Sequence, residues 1–481
     1  MSTHAVYEAR IRGEEARVSR LEARSLRYSR WRLAVFLLGL GCAVVGAREF
    51  GNLDPPWLFV SLGLFVGFGV LVRRHGGVAR ELDAARGLVA LNREALDRLA
   101  RRWEALPLPA EVAPSAMARD LDLFGRASLF QFLGTVRTPP GRATMSAWLR
   151  APADASCVAQ RLEAARERAP ELDARQAFEL EARAAAASDA HAERFLEWAE
   201  AVANPPPPAR VLLARLWTGL LPLVIAAEIV GWVAWPLWLP CIAVNLALTT
   251  RGTGRWHPRF AAVEAREGEY QAYRRLLELM ESTPARTPLT ASLTARVRGA
   301  ARALDRLHAL SGHSQLRRSM MYLPVQVLTL WDVHVDQALR RWQARHGRDA
   351  RDWLAALGEF EAVNALAALR RDHPDWCEPE RRDTPGYDAR GLGHPLLAPE
   401  RCVTNDVSLG EPGSFLLVTG SNMSGKSTLL RAIGLNAVLA GMGSVVCAER
   451  FAWFPLPVAT SMRVETPWPG VCLNTWRNWN A

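Results

Sequence analysis

The stretch SFLLVTGSNMSGKSTLLRAIGLNA, residues 414–437, decides the fold of the C-terminal region of this 481-residue chain. Its centre fits the phosphate-loop pattern G-x-x-x-x-G-K-[ST], which ends here on Lys426 and Ser427. The apolar run Phe415–Val418 before it predicts a buried strand, and the residues from Ser427 onward predict a helix. A glycine-rich turn between a strand and a helix brings backbone N–H groups around a phosphate. The sequence therefore predicts a nucleotide-binding site, with a chance glycine-rich turn as the alternative.

The predicted ligands of this site are ATP and Mg²⁺. In such loops the lysine neutralises the β- and γ-phosphates, which gives Lys426 that role. The hydroxyl that follows holds the metal ion, which makes Ser427 the predicted Mg²⁺ ligand. No catalytic residue is predicted. The predicted cofactor-binding residues of the loop are Gly420, Ser421, Asn422, Met423, Ser424, Gly425, Lys426, Ser427 and Thr428.

The loop and its surroundings carry a family resemblance. The sequence TGSNMSGKST, followed by LLRAIGLNAVLAGMGSVVCAE, resembles the ATPase domain of the MutS family, the DNA mismatch repair proteins and their relatives. Asn422 and Met423 inside the loop, with Gly443–Val446 after it, are particular to that family among phosphate-loop proteins. Three other segments fit the family at its spacing: Gly393–Leu397, Thr404–Val407 and Ala459–Val464.

The resemblance implies a P-loop ATPase domain over residues 385–464. It also implies a homodimer with two composite ATP sites, whose nucleotide state moves long lever helices. In the family an aromatic residue before the loop stacks on the adenine, and this chain has Cys402 at that position. Base stacking is then weakened or comes from elsewhere, with His394 as the candidate, while backbone contacts from Val403 would remain.

Two upstream segments resemble the lever of the family. Asp120–Ala151 resembles its opening, two helices joined by a turn, and Leu357–Ala367 resembles the last helix, which returns to the ATPase domain. Arg137 and Arg142 in the turn either contact DNA phosphates or lie in a solvated turn, and we favour the solvated turn. The resemblance implies ATP-dependent DNA binding. It does not extend to mismatch recognition, because a charged helix and an apolar hairpin stand where a recognition domain would precede the lever.

The composition is that of a folded, arginine-rich chain. Hydrophobic residues make up 49% and charged residues 22%, which excludes a disordered or a wholly membrane-embedded protein. The net charge of +10 suits either nucleic acid or the cytoplasmic flanks of membrane helices, and charge alone does not choose between them. The seven cysteines are scattered without a C-x-x-C pair, so we expect a reduced cytosolic setting rather than a disulfide scaffold or a zinc site.

Two apolar runs near the N-terminus predict a transmembrane hairpin. Trp31–Ala47 is apolar apart from Arg32, which can snorkel, and Pro56–Val72 follows after a short turn. Each run is near the lower limit of about 17 residues for crossing a bilayer. Arginines at both outer ends predict that both ends lie in the cytoplasm, and a buried soluble helical hairpin is the alternative.

A second hydrophobic pair predicts another membrane hairpin, in place of the DNA-clamp insertion of repair-type MutS proteins. Leu216–Val230 contains one acid, Glu228, and Trp235–Leu248 follows it. Tryptophans near the presumed ends resemble an interfacial aromatic belt. Glu228 is either a functional intramembrane acid or an interfacial residue, and we favour the interfacial position. Together the hairpins predict a multi-pass protein of the bacterial cytoplasmic membrane, with the lipid bilayer as a partner and its soluble domains facing the cytoplasm.

The C-terminal tail does not resemble the family. Residues 465–481 read ETPWPGVCLNTWRNWNA, without the periodicity of a strand or a helix. When one base is restored after the Glu465 codon in a back-translation, residues 466–481 can encode DSLARGVSEHVAELER, which fits the family. We therefore expect a single-base deletion, either real or a sequencing error. The chain as given then lacks the segments of the ATPase domain needed for hydrolysis, and we expect little or no ATP turnover. The gene sequence beyond codon 465 tests this expectation.

The predicted fold class is mostly α with a C-terminal partial α/β P-loop ATPase domain and two transmembrane helical hairpins. The predicted function is that of a membrane-tethered, ATP-binding member of the MutS family. The alternative is a nucleotide-switched membrane scaffold that does not bind DNA. The predicted divisions are 1–30 (charged helix), 31–75 (hairpin 1), 76–115 (amphipathic helix and linker), 116–208 (lever helices), 209–250 (hairpin 2), 251–384 (returning lever helices), 385–464 (ATPase domain) and 465–481 (aberrant tail).

Overall fold

The chain folds into two units in a computed structural model. One unit comprises Met1–Leu108 and Leu396–Cys402, and the other comprises Pro109–Pro395 and Val403–Ala481. The structure describes residues 2–48, 55–108, 115–186, 191–201, 208–232, 235–247, 267–314, 319, 321–410, 413–421, 425–455 and 458–460.

Two long antiparallel helices form most of the first unit. Helix α1 (Thr3–Arg48) has 46 residues and α2 (Pro55–Leu99) has 45, so each is roughly 70 Å long. The predicted boundary between a charged helix and an apolar helix lies inside α1. The helix continues through it because the sequence there is rich in Ala, Leu, Arg and Glu, which favour helix, and contains no proline.

The apolar halves of α1 and α2 contact each other and leave their outer side chains exposed. Phe36 packs against Phe65 and Phe68, and the Ser61 hydroxyl donates a hydrogen bond to the Gly39 carbonyl at 3.1 Å. By length and composition alone, α1 and α2 are apolar enough to cross a membrane. The exposed apolar side chains include Leu33, Leu37, Leu38, Phe59, Leu62 and Val66.

Arg32 does not snorkel along the helix towards water. Its guanidinium donates to His75 Nδ1 across the hairpin at 2.7 Å and lies over the Phe68 ring. His75 Nε2 lies 2.9 Å from the Ser25 hydroxyl, and the His75 ring stacks on Tyr28. The arginine is held between the two helices where their apolar halves meet their charged halves.

Helix α15 (Trp331–Asp372), with 42 residues, is the longest helix described in the second unit. Its own Trp342 and Phe360 lie in one core cluster with Phe178, Leu276, Leu277 and Leu307 of the surrounding helices. The other helices are α3 (Ala116–Asp120), α4 (Leu129–Phe132), α5 (Pro139–Arg150), α6 (Ala155–Arg168), α7 (Leu172–Ala185), α8 (His191–Glu200), α9 (Pro208–Ile229), α10 (Trp238–Ala247), α11 (Glu267–Glu281), α12 (Pro288–Arg296), α13 (Ala300–Ser314), α14 (Tyr322–Thr329) and α16 (Lys426–Met442).

The turn before α5 is buried against α15, so the preferred interpretation of a solvated turn was wrong. Arg137 pairs with Glu179 at 2.8 Å, and its backbone N–H donates to Glu361 of α15 at 2.6 Å. Thr138 donates to Glu361 through its hydroxyl and its N–H. Arg142 donates to the Arg137 carbonyl at 2.5 Å. These groups pair with one another because a buried turn must satisfy its polar atoms within the protein.

A small mixed sheet follows α15. Its strands are β1 (Glu380–Arg381), β2 (Tyr387–Leu392), β3 (Asn405–Leu409) and β4 (Arg450–Trp453), in the order β1-β4-β2-β3. Strands β1 and β4 are parallel, whereas β2 is antiparallel to both β3 and β4. The inward residues Ala389, Val407 and Phe451 are buried, so one face of the sheet packs on the protein.

The predicted buried strand Phe415–Val418 is not formed. Residues 414–420 have no regular secondary structure, and the Phe415 side chain is 83% exposed. A buried strand needs a hydrogen-bonded neighbour, and no described strand lies beside this segment. The fold class is therefore confirmed as mostly helical with a small sheet, while a complete P-loop ATPase domain is not seen in the described residues.

The second hydrophobic pair forms shorter apolar helices than the first. Leu216–Ile229 within α9 and Trp238–Ala247 in α10 are each under 18 residues, which is short for crossing a bilayer. Glu228 lies in the last turn of α9, and its carbonyl accepts a hydrogen bond from the Gly231 N–H. This places the acid at the end of the helix, next to Trp232.

Candidate functional site

The two glycines that bracket the predicted phosphate loop have positive φ angles. Gly420 has φ 154° and Gly425 has φ 86°, which a side chain with a Cβ atom would disfavour. Helix α16 begins immediately after Gly425, so the N-terminal N–H groups of the helix point towards the loop. Asn422, Met423 and Ser424 lie outside the described residues.

Lys426 is directed into the loop. Its ammonium group donates to the Gly420 carbonyl at 2.7 Å and to the Ser421 carbonyl at 2.5 Å. Carbonyl oxygens are weak partners for a cation compared with phosphate, so an anion at this position would compete for the ammonium group. Lys426 is also the only lysine in the chain, whose other basic side chains are arginines and histidines.

Ser427 and Thr428 follow in the first turn of α16, and both are exposed. The Ser427 hydroxyl therefore fits the single protein ligand that this kind of loop offers to Mg²⁺. Among the residues that the structure describes, no group of three or more His, Cys, Asp or Glu side chains could hold a metal ion by itself. A metal ion here would depend on phosphate oxygens for its other ligands.

The second half of α16 is buried, and Asn436 fixes it. The Asn436 amide donates to the Gly393 carbonyl at 2.9 Å and accepts from the Cys447 N–H at 2.7 Å. The side chain is fully buried, so these bonds hold the loop before β3, the helix and the segment before β4 together. Sequence reasoning missed Asn436, although a polar residue inside the apolar run LNAVLAG was a signal of a buried hydrogen bond.

Arg431 joins α16 to the helical core. Its guanidinium donates to the Asp120 carbonyl at 3.0 Å and pairs with the Asp122 carboxylate at 2.9 Å. Further along the helix, the Gly441 carbonyl accepts from the Ala153 N–H at 2.9 Å. Both contacts were missed, because their partners lie far away in sequence. They attach the helix that starts at Lys426 directly to the predicted lever.

The two predicted base contacts outside the loop have different surroundings. Burial, followed by the positive charge of Arg431, lowers the pKa of His394 to about 4, so its imidazole is neutral near pH 7. A neutral ring can stack on a base, and Arg431 places it near α16. Val403 is exposed, but no described contact joins it to the loop. The structure therefore places His394 beside the helix of the loop and leaves the contribution of Val403 as a prediction.

A family model matches the region of the loop. The model for MutS domain V matches residues 416–462, which contain the whole loop and α16. The matched region also includes the exposed segment that did not form the predicted strand.

Curated relatives match a longer part of the chain. The MutS DNA mismatch repair protein of Dinoroseobacter shibae is 43% identical over 104 residues, which are 20% of this chain and 12% of the relative. The MSH6 DNA mismatch repair protein of Arabidopsis thaliana is 46% identical over 124 residues, 23% of this chain and 9% of the relative. The MutS DNA mismatch repair protein of Chlorobaculum parvum is 37% identical over 100 residues, which are 20% of this chain and 11% of the relative.

The matched region spans only about a tenth of the length of these relatives. It confirms the resemblance that the loop sequence predicted. By the family model and these relatives together, the C-terminal region of the chain is similar to domain V of the MutS family.

Proposed function

We propose that this chain is a membrane-tethered, ATP-binding member of the MutS family. The observation that supports it best is the position of Lys426, whose ammonium group is turned into a glycine-bracketed loop that matches MutS domain V. The relatives are named for DNA mismatch repair, and DNA binding by this chain is part of the proposal.

In this proposal the chain holds ATP through its phosphates. Lys426 would release the two carbonyl oxygens and pair with the β- and γ-phosphates, while the first N–H groups of α16 donate to the same anion. Mg²⁺, when bound, neutralises charge on these phosphates, and Ser427 would supply its protein ligand. Arg431 and Asn436 keep α16 fixed to the core, so that movement of the loop is transmitted to the lever helices.

The single lysine allows a direct test of ATP binding. An ATP analogue with an amine-reactive acyl phosphate should label Lys426 in the full chain, and excess ATP should prevent the labelling. The α-amino group at Met1 is the internal control, because ATP should not protect it. Equal labelling of both amines with and without ATP would contradict the proposal.

DNA binding is supported by an arginine cluster on α13 and α15, here called the basic face. The helices are joined by the Trp342 indole N–H, which donates to the Ala303 carbonyl at 2.7 Å. In the described part of the chain none of these arginines forms an ion pair with a carboxylate, so their charge is available to phosphates. The basic face consists of the exposed residues Arg302, Arg306, Arg341, Arg345 and Arg348.

Two arginines of the basic face lower the pKa of the same residue, His346. Burial lowers the pKa of His346, and the positive charges of Arg345 and Arg306 lower it further against the opposing charge of Asp349. Arg306 of α13 and Arg345 of α15 therefore lie close to the same imidazole. Two helices thus bring their cations together at one surface.

A salt titration tests the basic face. Affinity of the full chain for duplex DNA should fall steeply with salt, and reversing Arg302 and Arg345 to Glu should reduce the slope of log K against log salt by about 2. Reversing Arg390, an exposed arginine on β2, is the matched control and should change the slope less. No binding at low salt would support the membrane scaffold that does not bind DNA.

A further inference from the structure

Helix α14 is apolar on its outer surface and carries no charged side chain. Its sequence is YLPVQVLT, and Leu323 is 56% exposed. Leu328, and Met321 just before the helix, are also exposed. The sequence had placed this helix within the soluble, arginine-rich lever region, so its exposed apolar surface needs an explanation.

Asn245 joins α14 to the second apolar pair. Its side-chain oxygen accepts from the Trp217 indole N–H of α9 at 2.7 Å, and its amide donates to the Val327 carbonyl of α14 at 2.6 Å. Asn245 lies on α10 and is fully buried. One polar side chain therefore connects all three apolar helices.

Two polar side chains of these helices, Asn245 and Gln326, point inward, while several apolar side chains point outward. Gln326, the amide on α14, is fully buried and accepts from the Asp332 N–H at 2.8 Å. On the outer side, Leu216, Leu220 and Leu223 of α9 are exposed, Leu223 by 68%. This arrangement is the reverse of a water-soluble surface and is the one that hydrocarbon favours.

We propose that α9, α10 and α14 form one lipid-facing surface whose occupant is the acyl-chain region of a bilayer. The membrane-attached part of the second unit then has three helices instead of the two predicted from sequence. This inference rests on the membrane attachment in the proposed function and extends it to α14, and it does not depend on ATP binding.

Two features favour lipid over a second copy of the chain. Trp232 and Trp235, between α9 and α10, are 82% and 76% exposed, and tryptophan favours the boundary between lipid and water. In the sequence, arginines at 210, 215, 251 and 255 flank the apolar pair, as is usual beside the anionic cytoplasmic leaflet. A protein interface would have a polar rim, whereas the outward side chains named here are apolar.

The three helices are attached directly to α15. The Tyr322 hydroxyl donates to the Asp332 carboxylate at 2.6 Å, and Leu330 between α14 and α15 has φ 50°, a left-handed conformation that sets the turn. Helix α15 then continues for roughly 63 Å towards β1. A single rigid element thus leads from the lipid-facing helices to the sheet of the nucleotide region.

Photolabelling in vesicles tests this surface. The full chain is reconstituted into phosphatidylcholine–phosphatidylglycerol vesicles that contain a phospholipid with a photoactivatable group on its acyl chain. After irradiation and proteolysis, peptides with Leu223 and with Leu323 should carry label, and those with Arg302 should not. An unlabelled Leu323 peptide, when α1 and α2 are labelled, would overturn the inference without touching the proposed tether.

An Asn245→Val variant adds a second readout. Loss of its two hydrogen bonds should reduce the label on α14 at least threefold and leave the label on α9 within a factor of two. The Asn405→Ala variant, an exposed asparagine on β3, is the control and should change neither. If a second copy of the chain covers α14 instead, the Leu323 peptide stays unlabelled in vesicles. The Leu323 regions of two copies then crosslink to each other in detergent, and the inference fails.

Discussion

Glu361 is a carboxyl group with no access to water, in contact with the turn before α5. Burial raises its pKa to about 7, despite hydrogen bonds from Thr138 and from the Arg137 N–H that favour the charged form. The folded state therefore keeps a proton on Glu361 at pH values where the unfolded state, with an ordinary pKa of 4.5, has already lost it. Stability from this group is complete below pH 4.5 and is lost as the pH rises through 7.

A pH series on Glu361→Gln tests this charge state. A pKa raised from 4.5 to about 7 corresponds to a loss of about 2–3 kcal/mol in the free energy of unfolding of the wild type between pH 5 and pH 8. The glutamine variant keeps a neutral side chain, so its free energy of unfolding should lack this loss. Chemical denaturation at the two pH values measures the difference. If the difference in free energy of unfolding between the wild type and Glu361→Gln is the same at both pH values, the raised pKa of Glu361 is wrong.

Asn436 should be more important for stability than its single side chain suggests. Asn436→Leu removes the buried hydrogen bonds to the Cys447 N–H and the Gly393 carbonyl, which should cost about 2–4 kcal/mol. Thr428→Ala, in the exposed first turn of the same helix, should change stability by under about 0.5 kcal/mol. Thermal denaturation of both variants gives the comparison, and equal midpoints would show that the buried network contributes little.

At the scale of elements, α16 is fixed by close packing as well as by hydrogen bonds. A Cβ atom on Gly434 would lie 2.6 Å from Leu121 Cδ2, and Leu121 is fully buried. The absence of a side chain lets the helix approach the core. This contact lies two turns beyond Lys426, so the phosphate loop and the lever region are parts of one packed structure.

Gly434→Ala should destabilise the protein although alanine favours helix. The gain in helix propensity is about 1 kcal/mol, whereas overpacking against Leu121 costs about 1–3 kcal/mol. Gly312→Ala on α13 is the matched control, because nothing lies within 4 Å of its Cβ position. It should stabilise by about 0.5–1 kcal/mol. Changes of opposite sign in the free energy of unfolding, measured with denaturant, would support close packing of Gly434 against Leu121. Stabilisation by both substitutions would refute it.

How much the sequence predicted depends on how local the determining forces are. Helix α16 and the loop glycines follow from neighbouring residues, and they were predicted correctly. Strand Phe415–Val418 was wrong because a strand depends on partners elsewhere in the chain. The burial of Arg137 could not be predicted either, since Glu361 is 224 positions away. The start of α16 after Gly425 could be predicted from the sequence, whereas the contacts that hold this helix could not. The binding roles of the loop residues stay predictions.

At the scale of the whole molecule, one unit contains the long apolar hairpin and the other contains the proposed nucleotide-binding region. Cys42 in the apolar half of α1 and Cys157 at the start of α6 are both free and half-buried. In intact vesicles a membrane-impermeant maleimide should modify Cys157 and not Cys42, because lipid would surround the apolar half in the proposed tether. Detergent should make Cys42 reactive, as mass spectrometry of the peptides would detect. Similar rates for both cysteines before detergent would argue against the tether.

The central claim is that Lys426 binds the phosphates of ATP. Equilibrium titration of the full chain with ATP and Mg²⁺ should give saturable binding, weakened about 10- to 100-fold in Lys426→Ala through loss of a charge-assisted contact. Arg390→Ala, a removed positive charge on β2, should leave the affinity unchanged. Binding that is absent from the wild type, or equally strong without the lysine, would contradict the central claim.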